Sequence, residues 1–222
     1  MCGRFASGEF PKSLHSTIMS MLNGDLWDNF LKRHAKTNLN TSPGEQAGIF
    51  VQDKNGPAAQ TLEWGFNPQK SNDGKTIINA RSEEAHLKQT WRIPIQKQRC
   101  LVPVLGFYEW QNANGMKIPF YFSAFVGQYP IFLGGLWSPN HKKFVILTTA
   151  ANALMAPIHP RMPVIVPPQK WLQWLDPDFY EPSQLAAMMQ PIPPELLLCW
   201  EVTRKMGNPS YKNEDCIQPA TK

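Results

Sequence analysis

The sequence lacks the features that mark membrane, secreted and metal-binding proteins. Its 222 residues contain no apolar run of transmembrane length, and the N-terminal stretch carries Glu9, Lys12 and His15 where a signal peptide would be apolar. The four cysteines form no CxxC pair and have no histidine at metal-ligand spacing. We therefore expect a cytoplasmic protein with free thiols, no metal and no other cofactor.

Long runs of one charge, internal repeats and a recognisable linker are also missing. The formal net charge is +5, the sequence pI is about 9.0, and 42% of the residues are hydrophobic. Scattered basic residues are typical of a solvated surface, so this charge permits a polyanionic partner without requiring one. Because apolar residues occur throughout, we expect one domain over residues 1–222 and a monomer.

Short apolar segments separated by many of the 21 prolines predict short strands joined by turns, with a few helices. Apolar spacing from Pro11 to about His34 predicts one helix broken near Asn23-Gly24, or two short helices. The segment Asn112–Gly115 predicts a hairpin turn, and Ser82 is a candidate N-cap of a helix over Ser82–Lys88. The result is an α+β fold with mostly antiparallel pairing. The other predicted strands are Gly48–Gln52, Thr61–Phe66, Arg99–Val104, Gly106–Trp110, Phe120–Phe125, Ile131–Trp137 and Phe144–Leu147, and the other helices are Pro168–Leu175 and Pro182–Met189.

The first two residues carry the most informative chemistry. A small second residue permits removal of Met1, which leaves Cys2 with a free α-amine beside its thiol. The α-amine has a reference pKa of about 7.7–8.0, so part of it is unprotonated near neutral pH. Such an amine condenses with an aldehyde to a Schiff base, and the thiol can then close a five-membered thiazolidine ring. The alternative is a chance cysteine at a frayed terminus.

Three further segments carry polar residues in suggestive settings. Asn79 and Arg81 stand where a predicted strand turns into a helix, and Glu109 lies inside the aromatic run Gly106–Trp110. An inward Glu109 would have a raised pKa suited to proton transfer, whereas an outward one would be an ordinary surface carboxylate. His159 lies on a proline-bounded loop, and a lone histidine is more often structural than catalytic.

Taken together, these segments resemble the SRAP (SOS response-associated peptidase) family, whose members shield abasic sites in DNA. The matching motifs follow one another in order and span nearly the whole chain. They are Met1–Phe5, Asn40–Gly44, Trp64–Pro68, Ile78–Glu83, Cys100–Pro103, Gly106–Trp110, Thr148–Asn152, His159–Pro163 and Val202–Arg204 with Gly207-Asn208.

The resemblance implies a covalent function. Cys2 would capture the ring-opened aldehyde of an abasic site in single-stranded DNA as a Schiff base and then as a thiazolidine, protecting the strand during the DNA damage response. Asn79 would orient the terminal residue or the opened sugar, while Glu109 and His159 would transfer protons. DNA lyase activity is expected where the thiol is lost and the amine remains. The implied fold has a barrel-like core of antiparallel sheets with short flanking helices.

The resemblance also implies a DNA-binding surface and a setting. Arg4, Arg81 and Arg161 would contact phosphates. Expected partners are single-stranded DNA with abasic sites and replication-fork proteins, in the cytoplasm and at the nucleoid, without a membrane. The chain departs from the family in having Pro160 where an acidic residue is common, and Gln69–Ser71 where tryptophans are frequent. The residues placed near the neighbouring bases are Pro43, Trp64, Asn67 and Pro68.

Two other functions remain open. Cys2, His159 and Glu109 could form the nucleophile, base and orienting group of a thiol peptidase acting on its own N-terminus. Only Met1 precedes Cys2, so ordinary aminopeptidase processing would suffice. Alternatively, the arginines could serve a non-covalent reader of single-stranded or modified DNA. Blocking the α-amine would spare a peptidase, and a non-covalent reader would form no complex that survives denaturation.

Overall fold

The computed structural model describes residues 2–67, 76–124 and 130–220. In these ranges the strands form one sheet of five strands and one of seven, with short helices around them. The mixed, mostly antiparallel α+β fold predicted from the sequence is confirmed. The strands are β1 (Arg4–Ser7), β2 (Asn38–Thr41), β3 (Gln46–Asp53), β4 (Gly56–Trp64), β5 (Asn79–Arg81), β6 (Arg99–Val104), β7 (Gly106–Ala113), β8 (Met116–Ala124), β9 (Ile131–Ser138), β10 (Lys143–Ala150), β11 (Arg161–Pro163) and β12 (Leu197–Glu201). The helices are α1 (Lys12–Met21), α2 (Gly24–Arg33), α3 (Ser82–Ala85), α4 (Gln89–Arg92), α5 (Pro94–Lys97), α6 (Trp171–Leu175) and α7 (Pro182–Met188).

The seven-stranded sheet closes on itself. Strand β10 pairs in parallel with β4 and antiparallel with β9, while β4, β3, β6 and β9 are neighbours in that order. Five strands therefore form a ring, which leaves none of them as an open edge at the point of closure. The expected barrel-like core is present.

Alternate side chains of the barrel strands enter two different buried clusters. On β3, Phe50 packs with Trp27 and Phe132 under the helices, whereas Ile49 and Val51 face the five-stranded sheet. This division follows from the two-residue repeat of a strand, whose side chains point alternately to opposite faces. The barrel wall is consequently buried on both faces along β3, which explains why its sequence is almost continuously apolar.

The five-stranded sheet brings the chain's beginning into the middle of the molecule. Its order is β12-β8-β7-β1-β2, so β1 has a hydrogen-bonded neighbour on each side. Arg4 lies opposite Tyr108 on β7, and Phe5 lies opposite Thr41 on β2. The ring of Phe5 packs 5.0 Å from that of Trp64 on the barrel. Strand β1 is thereby fixed between its two neighbours and against the barrel.

The structure confirms two features predicted from short sequence patterns, the helix break at Asn23-Gly24 and the hairpin turn at Asn112–Gly115. The predicted break separates α1 from α2, and the Asn23 side chain accepts hydrogen bonds from the amides of Asp25 and Leu26 at 2.9 and 3.2 Å. At the tip of the β7–β8 hairpin, Asn114 and Gly115 have φ values of 52° and 81°, the left-handed conformations that a tight hairpin turn requires.

The predicted N-cap at Ser82 is wrong. Ser82 is the first helical residue, and the extended Arg81, with φ −75° and ψ 127°, holds the capping position without a side-chain hydrogen bond. Arg81 is extended because it is still paired with Thr148 in the sheet. Helix α3 also ends at Ala85, short of the predicted Lys88.

A buried cation joins the barrel to the helices. Arg99, at the start of β6, is 1% exposed, and burial lowers the pKa of its guanidinium to about 10, so it remains charged at neutral pH. Its nitrogen atoms donate to carbonyls near the C-terminal ends of α5 and α6, which have no partner within the helices. The accepting carbonyls are Ile95 (2.8 Å), Gln96 (2.7 Å), Trp174 (2.6 Å), Phe179 (2.8 Å) and Asp176.

Among the described residues, no helix has the length and apolar composition needed to cross a membrane. The four cysteines are free thiols, with Cys2, Cys100 and Cys216 buried and Cys199 partly buried.

We predict that Arg99→Met lowers the free energy of unfolding by about 3–5 kcal/mol, because it leaves several buried carbonyls without a donor. Arg92→Met, on the exposed side of α4, is the matched control and should change stability by no more than about 0.5 kcal/mol. Urea denaturation measures both. Equal losses in the two variants would show that Arg99 does not join the helices to the barrel.

Candidate functional site

Cys2 lies at the junction of the two sheets. It is fully buried, and its sulfur is 3.8 Å from the backbone carbonyl oxygen of Arg4. The side-chain amide of Asn79, the first residue of β5, donates to the Cys2 carbonyl oxygen at 2.8 Å. Because β5 is paired with β10, this amide is held by the barrel. Cys2 and Asn79 are thus in direct contact, although they are 77 positions apart in sequence. The sequence predicted that they act together.

Glu109 points into the protein beside Cys2. On β7, Tyr108 is opposite Arg4, so the next step of the same register brings Glu109 opposite Gly3. Its side chain is 2% exposed, and one carboxylate oxygen lies 4.0 Å from Nδ1 of His159. Burial raises the pKa of the Glu109 carboxyl, and the nearby His159 opposes this rise. Of the two orientations that the sequence left open, the inward one is present.

His159 is held by the backbone of the strand that follows it. Its Nδ1 lies 3.1 Å from both the amide nitrogen and the carbonyl oxygen of Arg161. A neutral ring that accepts from the amide carries its proton on Nε2, whereas a ring protonated on Nδ1 donates to the carbonyl. Since the His159 side chain is 25% exposed, the ring joins the buried Glu109 to solvent.

The Cys2 thiol is kept neutral by its surroundings. Burial raises its pKa, and the carboxylate of Glu109 raises it further. A thiolate is therefore disfavoured at neutral pH, although the sulfur keeps a transferable proton. The four predicted catalytic residues form one cluster, with a neutral thiol, a fixed carbonyl, a buried carboxyl and an imidazole. This set is suited to nucleophilic addition with local proton transfer.

The cluster opens into a groove with a cationic lining. Glu109 and His159 line it, together with Arg4, Lys117 and Arg204, and its volume is about 560 Å³. No DNA-binding role was predicted for Lys117 or Arg204. Lys117 carries no sequence signal that separates it from other surface cations, whereas Arg204 ends the Val202–Arg204 motif that resembles the family. The packing of β8 and the C-terminal segment brings both side chains to the groove.

Arg4 is partly occupied by contacts within the protein. Its guanidinium donates to Oδ1 of Asn40 at 2.8 Å and to the carbonyls of Met206 and Gly207 at 3.1 and 3.2 Å. It also lies 6.0 Å from the ring centre of Trp110. Arg4 thus lines the groove and at the same time ties β1 to the C-terminal segment.

The other two predicted DNA-binding arginines are paired with carboxylates. Arg161 donates to both oxygens of Glu83, at 2.7 and 2.8 Å, and to the Thr148 carbonyl at 2.6 Å. Arg81 pairs with Glu84 at 3.1 Å and its side chain is 59% exposed. A phosphate would have to displace Glu83 from Arg161, whereas the exposed Arg81 is more accessible. A separate cavity of about 320 Å³, lined by Glu83 and mostly apolar residues, contains none of the four clustered residues.

Trp64 lies in the core and not on the surface, where a side chain must be to stack on a DNA base. Its side chain is fully buried, and its indole nitrogen donates to the Ile78 carbonyl at 2.9 Å. The ring supports β1 through Phe5, so the predicted stacking role is not compatible with this position. Pro43 and Asn67 are exposed. Pro68 and the Gln69–Ser71 segment lie outside the described residues.

Within residues 2–67, 76–124 and 130–220, no group of three or more histidine, cysteine, aspartate or glutamate side chains could hold a metal ion.

The chain is similar to known proteins along nearly its whole length. The sequence profile of the family described as "SOS response associated peptidase (SRAP)" matches residues 1–209. A Bacillus subtilis (strain 168) protein named Abasic site processing protein YoqW is 28% identical over 230 residues, covering 98% of this chain and 99% of that protein. Abasic site processing protein YedK of Escherichia coli (strain K12) is 25% identical over 228 residues, covering 99% of this chain and all (100%) of that protein.

Solved structures have the same fold. A crystal structure of a Bacteroides thetaiotaomicron protein superimposes with a TM-score of 0.77 at 22% identity, covering 98% of this chain and 100% of that one. A phage-related protein from Bordetella bronchiseptica gives a TM-score of 0.70 at 26% identity, with 91% and 95% covered. Since the profile match extends from the first residue to residue 209, the chain belongs to the SOS response associated peptidase (SRAP) family.

Proposed function

We propose that Cys2, made N-terminal by removal of Met1, covalently captures abasic sites in single-stranded DNA. The proposal is carried by the hydrogen bond from the Asn79 amide to the Cys2 carbonyl at 2.8 Å. The Glu109–His159 pair and a groove lined by cations lie beside it. The names of the relatives, abasic site processing proteins, support the same substrate. A single strand is expected because a lesion within a duplex must first be unstacked.

The chemistry balances without a cofactor. The α-amine of Cys2 adds to the C1′ aldehyde of the opened sugar, and loss of one water gives the imine. The Cys2 sulfur then bonds to the imine carbon, and the thiol proton passes to the ring nitrogen. A neutral thiol is the form that supplies this proton, which agrees with the raised pKa of Cys2. Ring closure removes the imine that would otherwise promote β-elimination and strand cleavage.

Glu109 and His159 handle the protons of these steps. The raised pKa of Glu109 lets the carboxyl hold a proton and deliver it to the hydroxyl that leaves as water. His159, at 4.0 Å from that carboxylate and open to the groove, exchanges protons with the sugar ring oxygen during opening. The roles differ because the two groups differ in exposure. The buried Glu109 carboxyl holds a proton, and the partly exposed His159 ring exchanges protons with solvent and returns one to Glu109.

Asn79 fixes the nucleophile in position. Its amide nitrogen holds the Cys2 carbonyl, which restricts where the α-amine and thiol can point. Its Oδ1 is buried and makes no hydrogen bond to the described residues. This oxygen is placed to accept a hydrogen bond from the α-amine after Met1 is removed, or from a hydroxyl of the opened sugar.

The same features argue against a thiol peptidase. Cysteine peptidases attack as thiolates, and their nucleophile has a lowered pKa. Burial and the neighbouring Glu109 act in the opposite direction on Cys2. A non-covalent reader would use the same groove, so covalent capture is the distinguishing property.

We expect Met1-processed protein to form a complex that survives denaturing electrophoresis with single-stranded DNA containing one abasic site. Cys2→Ala should form no stable complex because it has no thiol, and N-acetylated protein should form none because its amine cannot attack. Absence of a shifted band from protein verified by mass spectrometry to lack Met1 would rule out the proposal and favour the non-covalent reader.

Cys2→Ser keeps the α-amine and loses the thiol, so we expect it to stop at the imine. The imine should be trapped by borohydride and, without the reductant, should cleave the abasic strand by β-elimination. The Cys2→Ser protein with an acetylated terminus is the control and should do neither. A Cys2→Ser protein that neither traps nor cleaves would contradict the role of the amine.

For Glu109→Gln, we expect crosslinking to slow by about 10²–10⁴-fold, as for loss of a general acid. The same substitution should raise the stability of the folded protein at alkaline pH, although it slows the reaction. A carboxyl whose pKa is raised on folding contributes stability below its ordinary pKa and loses it as pH rises through the folded value. Glu109→Gln should therefore be more stable than the parent at pH 8 and show little difference at pH 4.

Thermal unfolding at both pH values measures this effect, with the exposed Glu195→Gln as control. A Glu109→Gln protein that loses stability at pH 8 would show that the carboxylate is stabilised, rather than strained, by its site.

A further inference from the structure

We propose that Arg204 and Lys117 bind a backbone phosphate of the DNA single strand beside the lesion, and that Asn40 is the positioning residue that holds the segment bearing Arg204. The inference rests on the proposed function, because it names contacts of the same groove with its substrate. It makes the C-terminal segment Arg204–Tyr211 a wall of the DNA site.

The charge of the groove favours a polyanion. Three cations line it, Arg4, Lys117 and Arg204, against the single carboxyl of Glu109. Lysine and arginine at the edge of a groove bind nucleic acid mainly through phosphates, and a single strand presents these at regular spacing. The groove also contains His159, so a strand whose sugar reaches the Glu109–His159 pair must pass these cations.

Arg204 and Lys117 are the more available cations. Both are exposed. The Arg204 guanidinium donates to the sulfur of Met116 at 3.8 Å, and sulfur is a weak acceptor that a phosphate readily replaces. Arg161, in contrast, is engaged by both oxygens of Glu83. A phosphate at Arg204 therefore has no carboxylate to displace of the kind that holds Arg161.

One buried amide holds this wall in place. The side chain of Asn40, on β2, is 0% exposed, and its Oδ1 accepts from Arg4 at 2.8 Å. Its Nδ2 donates to the carbonyls of Met206 (2.8 Å), Asn208 (3.1 Å) and Tyr211 (2.8 Å). The same side chain therefore orients a groove arginine and fastens three points of the C-terminal segment.

The segment needs this attachment because its own backbone bonds are local. The amide of Met206 bonds to Thr203, that of Asn208 to Lys205, and that of Tyr211 to Asn208. Such short turns define a local shape without fixing its position on the sheet. Without the Asn40 amide, the carbonyls of Met206, Asn208 and Tyr211 each lose one donor, and Arg4, which also donates to Met206 and Gly207, loses the acceptor that orients it. We expect the segment that bears Arg204 to shift as a result.

The test measures affinity for a single strand carrying a tetrahydrofuran residue, which has no aldehyde and cannot crosslink. Fluorescence anisotropy is recorded between 50 and 200 mM salt. Removing one phosphate contact should lower the slope of log K against log salt by about 0.7, so the advantage of the parent over Arg204→Gln or Lys117→Gln should shrink about 2.5-fold over that range. Arg33→Gln and Lys54→Gln, exposed on α2 and the β3–β4 turn, are the matched controls. Parent-like slopes in both groove variants would overturn the phosphate site.

Asn40 is tested by a double-mutant cycle. In an Asn40→Ala background, Arg204→Gln should no longer change the salt slope, because Arg204 is already displaced. Asn40→Asp keeps the acceptor for Arg4 but cannot donate to the three carbonyls, so it should behave like Asn40→Ala. If Asn40→Ala lowers only the melting temperature and leaves the Arg204 effect intact, its role is structural and the inference fails for Asn40. The exposed Arg204 and Lys117 variants remain informative even where an Asn40 variant does not fold.

A parallel crosslinking assay with true abasic DNA separates this inference from the proposed function. Crosslinking by the parent with unchanged salt slopes in the groove variants would overturn the inference alone. No crosslinking by the parent, with reduced slopes in those variants, would overturn covalent capture and leave the phosphate site standing.

Discussion

The position of β1 between two partner strands is the constraint on which the site depends. The proposed nucleophile is the second residue of the sequence, and chain ends usually fray into solvent. Here pairing with β2 and β7 anchors the residues directly after Cys2, and Phe5 packs on Trp64 of the barrel. Cys2 is therefore buried at the start of a paired strand, and its carbonyl is held by Asn79 of the other sheet.

Burial that fixes the terminus also sets its chemistry. The enclosed space at the sheet junction raises the pKa of both Cys2 and Glu109, and the carboxylate of Glu109 raises that of Cys2 further, so the thiol stays neutral. Stability and reactivity are opposed at this point, because a carboxyl there costs folding energy that an amide would not. The apolar cluster that contains Cys2, Phe5 and Phe107 stabilises the sheet junction and offsets that cost. Such a carboxyl contributes nothing to folding above its pKa, which agrees with the proton-transfer role proposed for it.

Much of the fold follows from local pattern, and its failures have local causes. Strand β6 has the bounds that its apolar run predicts, and the break at Asn23 is an N-cap with its side chain in place. The short strands β2, β5 and β11 carry no periodic signal, since three or four residues are too few for one. The N-cap at Ser82 failed because pairing of Arg81 with β10 decides where the helix starts. Tertiary contacts override propensity at such points.

The site shows the same limit more sharply. Cys2, Asn79, Glu109 and His159 could be named because motifs of five or six residues surround each of them, but Trp64 shares such a motif and is a core residue. A match to a family motif therefore does not separate a residue of the candidate site from a residue of the core. Cations are harder still to assign, because what an arginine can bind depends on what already holds it. Arg161 is paired with the carboxylate of Glu83, whereas the guanidinium of Arg204 contacts the thioether of Met116. These pairings join residues that are distant in sequence, so the cations available to a phosphate can be identified only in the folded chain.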